Sequence, residues 1–253
     1  MGREWYVKIV LGINGRINEM SWIRNLRKRR SDSLVRTKTQ VSDSFQLGIV
    51  LALAGGFMDA YSYIGRGQVF ANAQTGNLLL MGVNLAEGNW LSALRYVLPV
   101  MSFSIGIAIA DVVRLRKTGQ KRLHWRQIAL LIEIGVFGLV SVMPQGLNLV
   151  ANSLTSLGCG IQVQSFRKIE GNGMATTMCI GNLRSATSAV VEYWHTKERK
   201  LGVKGILYLG IILFFVLGAV FGNVCVKWMG EKAILGCMGL LGIGVLMMFG
   251  GEK

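Results

Sequence analysis

A single carboxylate inside an apolar run is the first group in this chain whose type and setting suit chemistry. Asp59 stands in Gly55-Gly56-Phe57-Met58-Asp59-Ala60-Tyr61. An acid within a membrane span is costly unless paired, hydrated or protonated, and it is a functional candidate by default. Two readings stay open for it: a group on an ion or proton path, or an ion pair or helix cap for the neighbouring segment. An uncharged polar run follows, Phe70-Ala71-Asn72-Ala73-Gln74-Thr75-Gly76-Asn77, and a second polar set, Gln162, Gln164, Thr176, Thr177 and Asn182, comes about a hundred residues later. Such side chains suit a path for a small polar solute or a cation, and they suit hydrogen-bonded glue between helices equally well. Glu133 is a second acid in an apolar stretch, either a titrating group or a partner for Arg126 two turns away. Asp111 lies beside Arg114, where a local ion pair is expected.

The composition says what must hold these groups. The 253 residues are 51% hydrophobic and 16% charged, with 33 glycines and two prolines, whereas soluble domains carry about 25% charged residues. Apolar, glycine-rich sequence suits helices that pack closely in lipid, and about 20 such residues cross a bilayer. Six stretches have that character: Phe45 to Ile64, Leu91 to Val113, Gln127 to Met143, Leu147 to Phe166, Val203 to Val226 and Ala233 to Phe249. The net charge of +15 sits in blocks between them, as expected of cytoplasmic loops and not of a nucleic-acid footprint.

Residues 1–44 form a basic cytoplasmic tail by this reading. Trp5, Ile9, Ile13, Ile17 and Trp22 suit a basic amphipathic helix against anionic lipid headgroups, and a disordered basic tail or a translation start at Met20 are the other readings. The tail shows no secretory signal, and Tyr6 breaks the myristoylation pattern. Cys159, Cys179, Cys225 and Cys237 lack C-x-x-C spacing and read as small buried hydrophobes. His124 and His195 sit beside Trp125 and Trp194 and read as interfacial residues. No nucleotide, hydrolase or metal motif appears, so no cofactor and no enzyme activity are expected.

A shift of 105 residues places Gly76-Asn77-Leu78 on Gly181-Asn182-Leu183, Gly55 on Gly160 and Asp59 on Gln164, and it carries the span boundaries along. A fixed period of this kind points to duplicated architecture, with repeats at about 45–143 and 147–250. Charge decides how the two Gly-Asn-Leu segments run. If they do not span, nearly all Lys and Arg fall on the side of the N-terminus, including the cluster from Arg114 to Arg126. If they span, that cluster moves outside and the asymmetry is lost. The expected fold is therefore an all-α membrane protein of six spans, both termini cytoplasmic. The halves form a 3+3 inverted repeat with two re-entrant or broken segments.

The segments GGFMDAYSYI, VFANAQTGNLLLMG, GIQVQSFRKIEGN and ATTMCIGNLRS resemble the YoaK family of bacterial membrane proteins, over about Phe45 to Phe249. The resemblance implies a plasma-membrane protein with several spans and implies no substrate, reaction or site. The last of these segments has Cys179-Ile180-Gly181 where that family often has Thr before Gly, so a shared role for that hydroxyl does not carry over.

Inverted repeats bring equivalent positions together near the midplane. The expected site is Asp59, Asn72, Thr75, Gly76 and Asn77 from the first half with Gln164, Thr177, Gly181 and Asn182 from the second, and Glu133 as a further titrating group. The leading expectation is a transporter or channel for a small polar solute or ion. The alternative is a membrane scaffold, or a homo-oligomer packed through Gly218 and Gly222. The expected partner is the lipid bilayer.

Overall fold

A computed structural model describes residues 43–117 and 124–250. The basic tail, its lipid-facing reading and the middle of the 114–126 loop lie outside the described residues. The described chain is almost wholly helical: α1 (Phe45–Ala60), continued by a π-helical turn Tyr61–Gly65, α2 (Gln74–Ala86), α3 (Trp90–Lys117), α4 (Trp125–Ser141), α5 (Asn148–Ser165), α6 (Cys179–Thr196), α7 (Arg199–Met229) and α8 (Ile234–Gly250). Between α5 and α6 lies a hairpin, β1 (Lys168–Ile169) and β2 (Asn172–Gly173), paired antiparallel with Lys168 opposite Gly173. Glu170 and Gly171 at its tip both have positive φ, as a two-residue turn of this hand requires.

Three helical stretches are long and apolar enough to cross a membrane: Phe45–Gly65, Trp90–Arg116 and the pair of helices in Arg199–Gly250. They differ in what covers them. The first is 67% buried inside the protein, the other two 17%. Along α3 and α7 large apolar side chains such as Leu94, Met101, Ile105, Leu213, Val216 and Val220 are exposed. Apolar faces of that extent need a non-aqueous surrounding. Thus α1 is the buried post of the molecule, and α3 and α7 carry its apolar outer surface. α4 has 17 residues, and α5 buries polar groups including Asn152, Thr155, Ser156 and Gln162, so neither has the length and hydropathy of the other three.

The helices pair in a reciprocal way. α1 packs on α7 while α5 packs on α3; α2 packs on α3 while α6 packs on α7; α4 packs on α5 while α8 packs on α1; and α4 and α8 pack on each other. The two main crossings use the same joint. At one, Gly56 of α1 lies on the Phe215 carbonyl of α7, and Gly218 lies on the Leu53 carbonyl. At the other, Gly160 of α5 lies on the Phe103 carbonyl of α3, and Gly106 lies on the Leu157 carbonyl. Each joint is therefore a Leu-x-x-Gly strip against a Phe-x-x-Gly strip. A methyl group at any of the four glycines would overlap backbone, which is why small residues are required at such close approaches. Gly218 and Gly222 are both spent against α1, so the seam the sequence offered to a second copy is occupied within the chain.

Arg66 follows the end of α1 between two glycines and is 0% exposed. Its Nε donates to the Tyr61 hydroxyl at 2.8 Å, and its two terminal nitrogens donate to Asn148 Oδ1 and the Val140 carbonyl, both at 3.2 Å. The Asn152 amide donates to the Arg66 carbonyl at 2.7 Å. Glycine at 67 with φ +87° turns the chain there, a conformation glycine adopts without steric cost. The guanidinium thus ties the end of α1 to α4 and α5.

Candidate functional site

The segments leading into α2 and α6 are non-helical backbone inside the protein, and each is held by one asparagine. Asn77 Oδ1 accepts from the Phe70 amide at 3.0 Å, and its Nδ2 donates to the Phe70 carbonyl at 2.7 Å. Asn182 Oδ1 accepts from the Ala175 amide at 3.3 Å, and its Nδ2 donates to the Ala175 carbonyl at 2.6 Å. An amide side chain carries its donor and its acceptor on two neighbouring atoms, which lets it meet the N–H and the C=O of one residue at once. Both asparagines are buried, and each satisfies both backbone groups of one half-buried residue. Asn77 and Asn182, expected to line a path, are thereby committed to holding turns.

Both turns reach the same stretch of α1. The Asn72 side-chain amide donates to the Gly55 carbonyl at 3.1 Å. Thr176 and Thr177 lie against Gly55 from the other turn: a Cβ at 55 would stand 2.9 Å from Thr177 Cγ2 and 3.2 Å from the Thr176 carbonyl oxygen. One helical turn earlier, Gln162 Nε2 donates to the Leu51 carbonyl at 3.0 Å and to Thr176 Oγ1 at 3.3 Å. Gly55 is thus the place where α1 lacks a side chain so that the second turn can approach. One turn later on α1, Asp59 Oδ1 accepts the Asn72 amide at 2.7 Å, and the amides of Ala71 and Ala73 lie against the same carboxylate. Asp59 therefore holds the turn that leads into α2 from outside the helix, ahead of its first residue Gln74. It remains half-buried, whereas Asn72 and Thr177 are each 4% exposed and Gln162 is 0% exposed.

The other nominated residues lie elsewhere or play other parts. Gln164 donates to Asp111 Oδ2 at 2.6 Å, and Asp111 pairs with Arg114 at 2.8 Å as expected. The Leu-x-x-Gly joints align Gly56, not Gly55, with Gly160, so at that register Asp59 stands opposite Val163 and Gln164 is not its counterpart. Thr75 is exposed, Gly76 lies over the Phe70 ring, and Gly181 is exposed with open space around it. Glu133 is fully buried and neither carboxylate oxygen has a hydrogen-bond partner, so the pairing with Arg126 is not made. Its Cγ lies against Gly158 of α5. The four cysteines are free, with Cys159 Sγ 3.4 Å from Met58 Sδ. Among the described residues no cluster of His, Cys, Asp and Glu is placed to hold a metal.

Sequence reasoning noted Gln162 and Thr176 as polar but left them out of the site. The signal was indirect: Gln162 stands two residues after Gly160, about 200° around the helix, so the face that meets α3 at Gly160 lies opposite the one that carries Gln162 to α1. An open groove of about 690 Å³ between the hairpin and the start of α7, lined by Glu170, Asn172, Arg199, Lys200 and Lys204 among others, contains none of the nominated side chains.

Comparison with known proteins bears on this architecture. Residues 47–247 match the family model described as protein of unknown function DUF1275. The chain is also similar to the UPF0700 transmembrane protein YoaK of Bacillus subtilis (strain 168), 22% identical over 180 residues that cover 68% of this chain and 79% of the relative. No solved structure matches.

Proposed function

The chain belongs to the DUF1275 family, and we propose that this membrane protein is a transporter or channel for a small polar solute or ion. The observation that carries the reading is the meeting of two non-helical turns on one stretch of a buried helix, Leu51 to Asp59, with Asn72, Gln162 and Thr177 buried around it. Non-helical backbone at membrane depth is tolerated where it is packed in protein or lines a polar cavity, and discontinuous helices that meet between two repeats are a recurrent way to build a solute site.

The finer architecture belongs to the same proposal. We take α1, α3, α4, α5, α7 and α8 as six crossings and α2 and α6 as re-entrant helices. The 13 residues of α2 span about 20 Å at 1.5 Å per residue, short of a bilayer core of about 30 Å. The halves α1–α4 and α5–α8 are read as inverted repeats, cytoplasmic at both ends. Three features support this: the reciprocal helix pairing, the two Leu-x-x-Gly on Phe-x-x-Gly joints, and the two asparagine clamps 105 residues apart. An odd number of crossings per half makes the second half inverted, and the distribution of Lys and Arg favours that count. The reading assigns no covalent chemistry to the chain, and it keeps the plasma membrane as the location.

A scaffold without transport is favoured by one observation, that Asp59 already has its acceptor role filled by turn amides. Uptake by purified full-length protein in liposomes, across a panel of ions, amino acids and small metabolites, separates the two. Saturable, protein-dependent uptake of any member supports transport. Uptake of none, from protein shown to be folded, supports the scaffold.

A further inference from the structure

Buried oxygens without donors are the most expensive feature of the region where the turns meet. Asn72 Oδ1, Gln162 Oε1 and Thr177 Oγ1 all lack a hydrogen-bond partner, although their residues are at most 4% exposed. An unpaired buried polar group costs about 1–3 kcal/mol, so a set of three calls for a ligand that supplies positive charge or protons. The orientation of each amide is fixed by its other end. Asn72 Nδ2 is spent on the Gly55 carbonyl and Gln162 Nε2 on the Leu51 carbonyl and Thr176 Oγ1, so what each has left to offer is a carbonyl oxygen. Thr177 packs its methyl side on Gly55 and has its hydroxyl left over. All three are tied to the Leu51–Gly55 turn, and the Asp59 carboxylate follows one helical turn later, bonded to the Asn72 amide.

We propose that Asn72, Gln162 and Thr177, with Asp59 as the counter-charge, form a binding site for one small monovalent cation of the sodium type. Hard cations are held by oxygens, and a channel or transporter replaces a hydration shell with carbonyl and hydroxyl dipoles in this way. One carboxylate with neutral oxygens matches a single positive charge; a divalent ion would call for more carboxylate. An anion is disfavoured because the oxygens left over on both amides are acceptors. Asp59, half-buried while the others are enclosed, gives the site its approach. The proposal rests on the transporter-or-channel reading for its purpose, yet cation binding is measurable without any transport.

The test is equilibrium binding of radiolabelled sodium to the purified full-length protein, by scintillation proximity, at constant ionic strength made up with choline. Saturable binding of about one ion per chain is expected, with a rise in Tm of about 3–6 °C at ten times the dissociation constant. Gln162→Leu and Thr177→Val, which keep side-chain volume, should each weaken binding by about tenfold or more, and Gln164→Ala should bind as the unaltered protein does. Should a variant fail to fold, the sodium-dependent Tm shift of the unaltered protein decides by itself: its absence overturns the site. Sodium binding left unchanged by both Gln162→Leu and Thr177→Val also overturns it, and the oxygens then hold water. Uptake of a panel solute without sodium binding removes the cation site and keeps the transport reading. Sodium binding without any uptake keeps the site and removes that reading.

Discussion

The turn ahead of α2 and the turn ahead of α6 begin alike and end differently. Each is clamped by an asparagine that bonds both backbone groups of a residue seven positions earlier. The first turn then receives a carboxylate, Asp59, on its amides. The second receives a neutral amide, Gln162, on the Thr176 hydroxyl and leaves the Thr177 hydroxyl without a partner. What the turns share is therefore architecture and one unsatisfied buried oxygen each, Asn72 Oδ1 and Thr177 Oγ1, and what they do not share is the charge. A pure packing device would repeat its polar finish along with its clamp. The asymmetry falls where both turns touch α1, and that coincidence makes the region a candidate site.

Substitutions that break the shared part should have the largest effects. Asn77→Leu and Asn182→Leu each strand a half-buried backbone amide and carbonyl and should cost about 2–4 kcal/mol, read as the loss of folded protein in thermal unfolding. Comparable losses at the two positions support the comparison, and a benign Asn182→Leu beside a damaging Asn77→Leu would break it. The Asp59→Asn change keeps shape and removes a charged acceptor, so it should cost about 1–2 kcal/mol in the same assay. Thr177→Val should cost less than Asp59→Asn in the absence of added cation, because its hydroxyl satisfies nothing; an equal or greater loss would mean that the second turn depends on that hydroxyl. The smallest effects are expected at Thr75→Ala and Gly181→Ala, both exposed, within about 0.5 kcal/mol of the unaltered protein. A larger loss at either would mean that the exposed residues of these turns carry load which the geometry does not assign to them.

The sequence made the helical content, the two Gly-Asn-Leu segments and the 105-residue spacing legible because each is a periodic or repeated signal. It also brought forward Asp59, Asn72 and Thr177, through the rarity of polar groups in apolar runs. What stayed hidden depends on contacts between distant segments. Arg66 follows the end of a span between two glycines and looks like any loop charge; its burial comes from Tyr61, Val140 and Asn148 converging on it. Gln164 and Gln162 are two residues apart on one helix, so they point about 200° apart around its axis; the first reaches Asp111 and the second reaches α1. The 105-residue shift pointed to Gln164, whereas the Leu-x-x-Gly joints align at 104, one residue away. A slip of one residue around a helix is about 100°, enough to move a side chain from one neighbouring helix to another. The short hairpin tip at Glu170-Gly171 was missed because two-residue strands carry no alternation to read.

The central claim is that the region where both turns meet α1 passes a polar solute or ion. It is tested most directly by uptake per folded molecule in liposomes, Asp59→Asn against the unaltered protein, for whichever panel member is taken up. The account predicts a fall of about tenfold or more, equivalent to at least about 1.4 kcal/mol of lost interaction, with the folded fraction corrected for. Normal uptake per folded molecule, with only the amount of folded protein reduced, would contradict it and leave Asp59 with the holding of the turn alone.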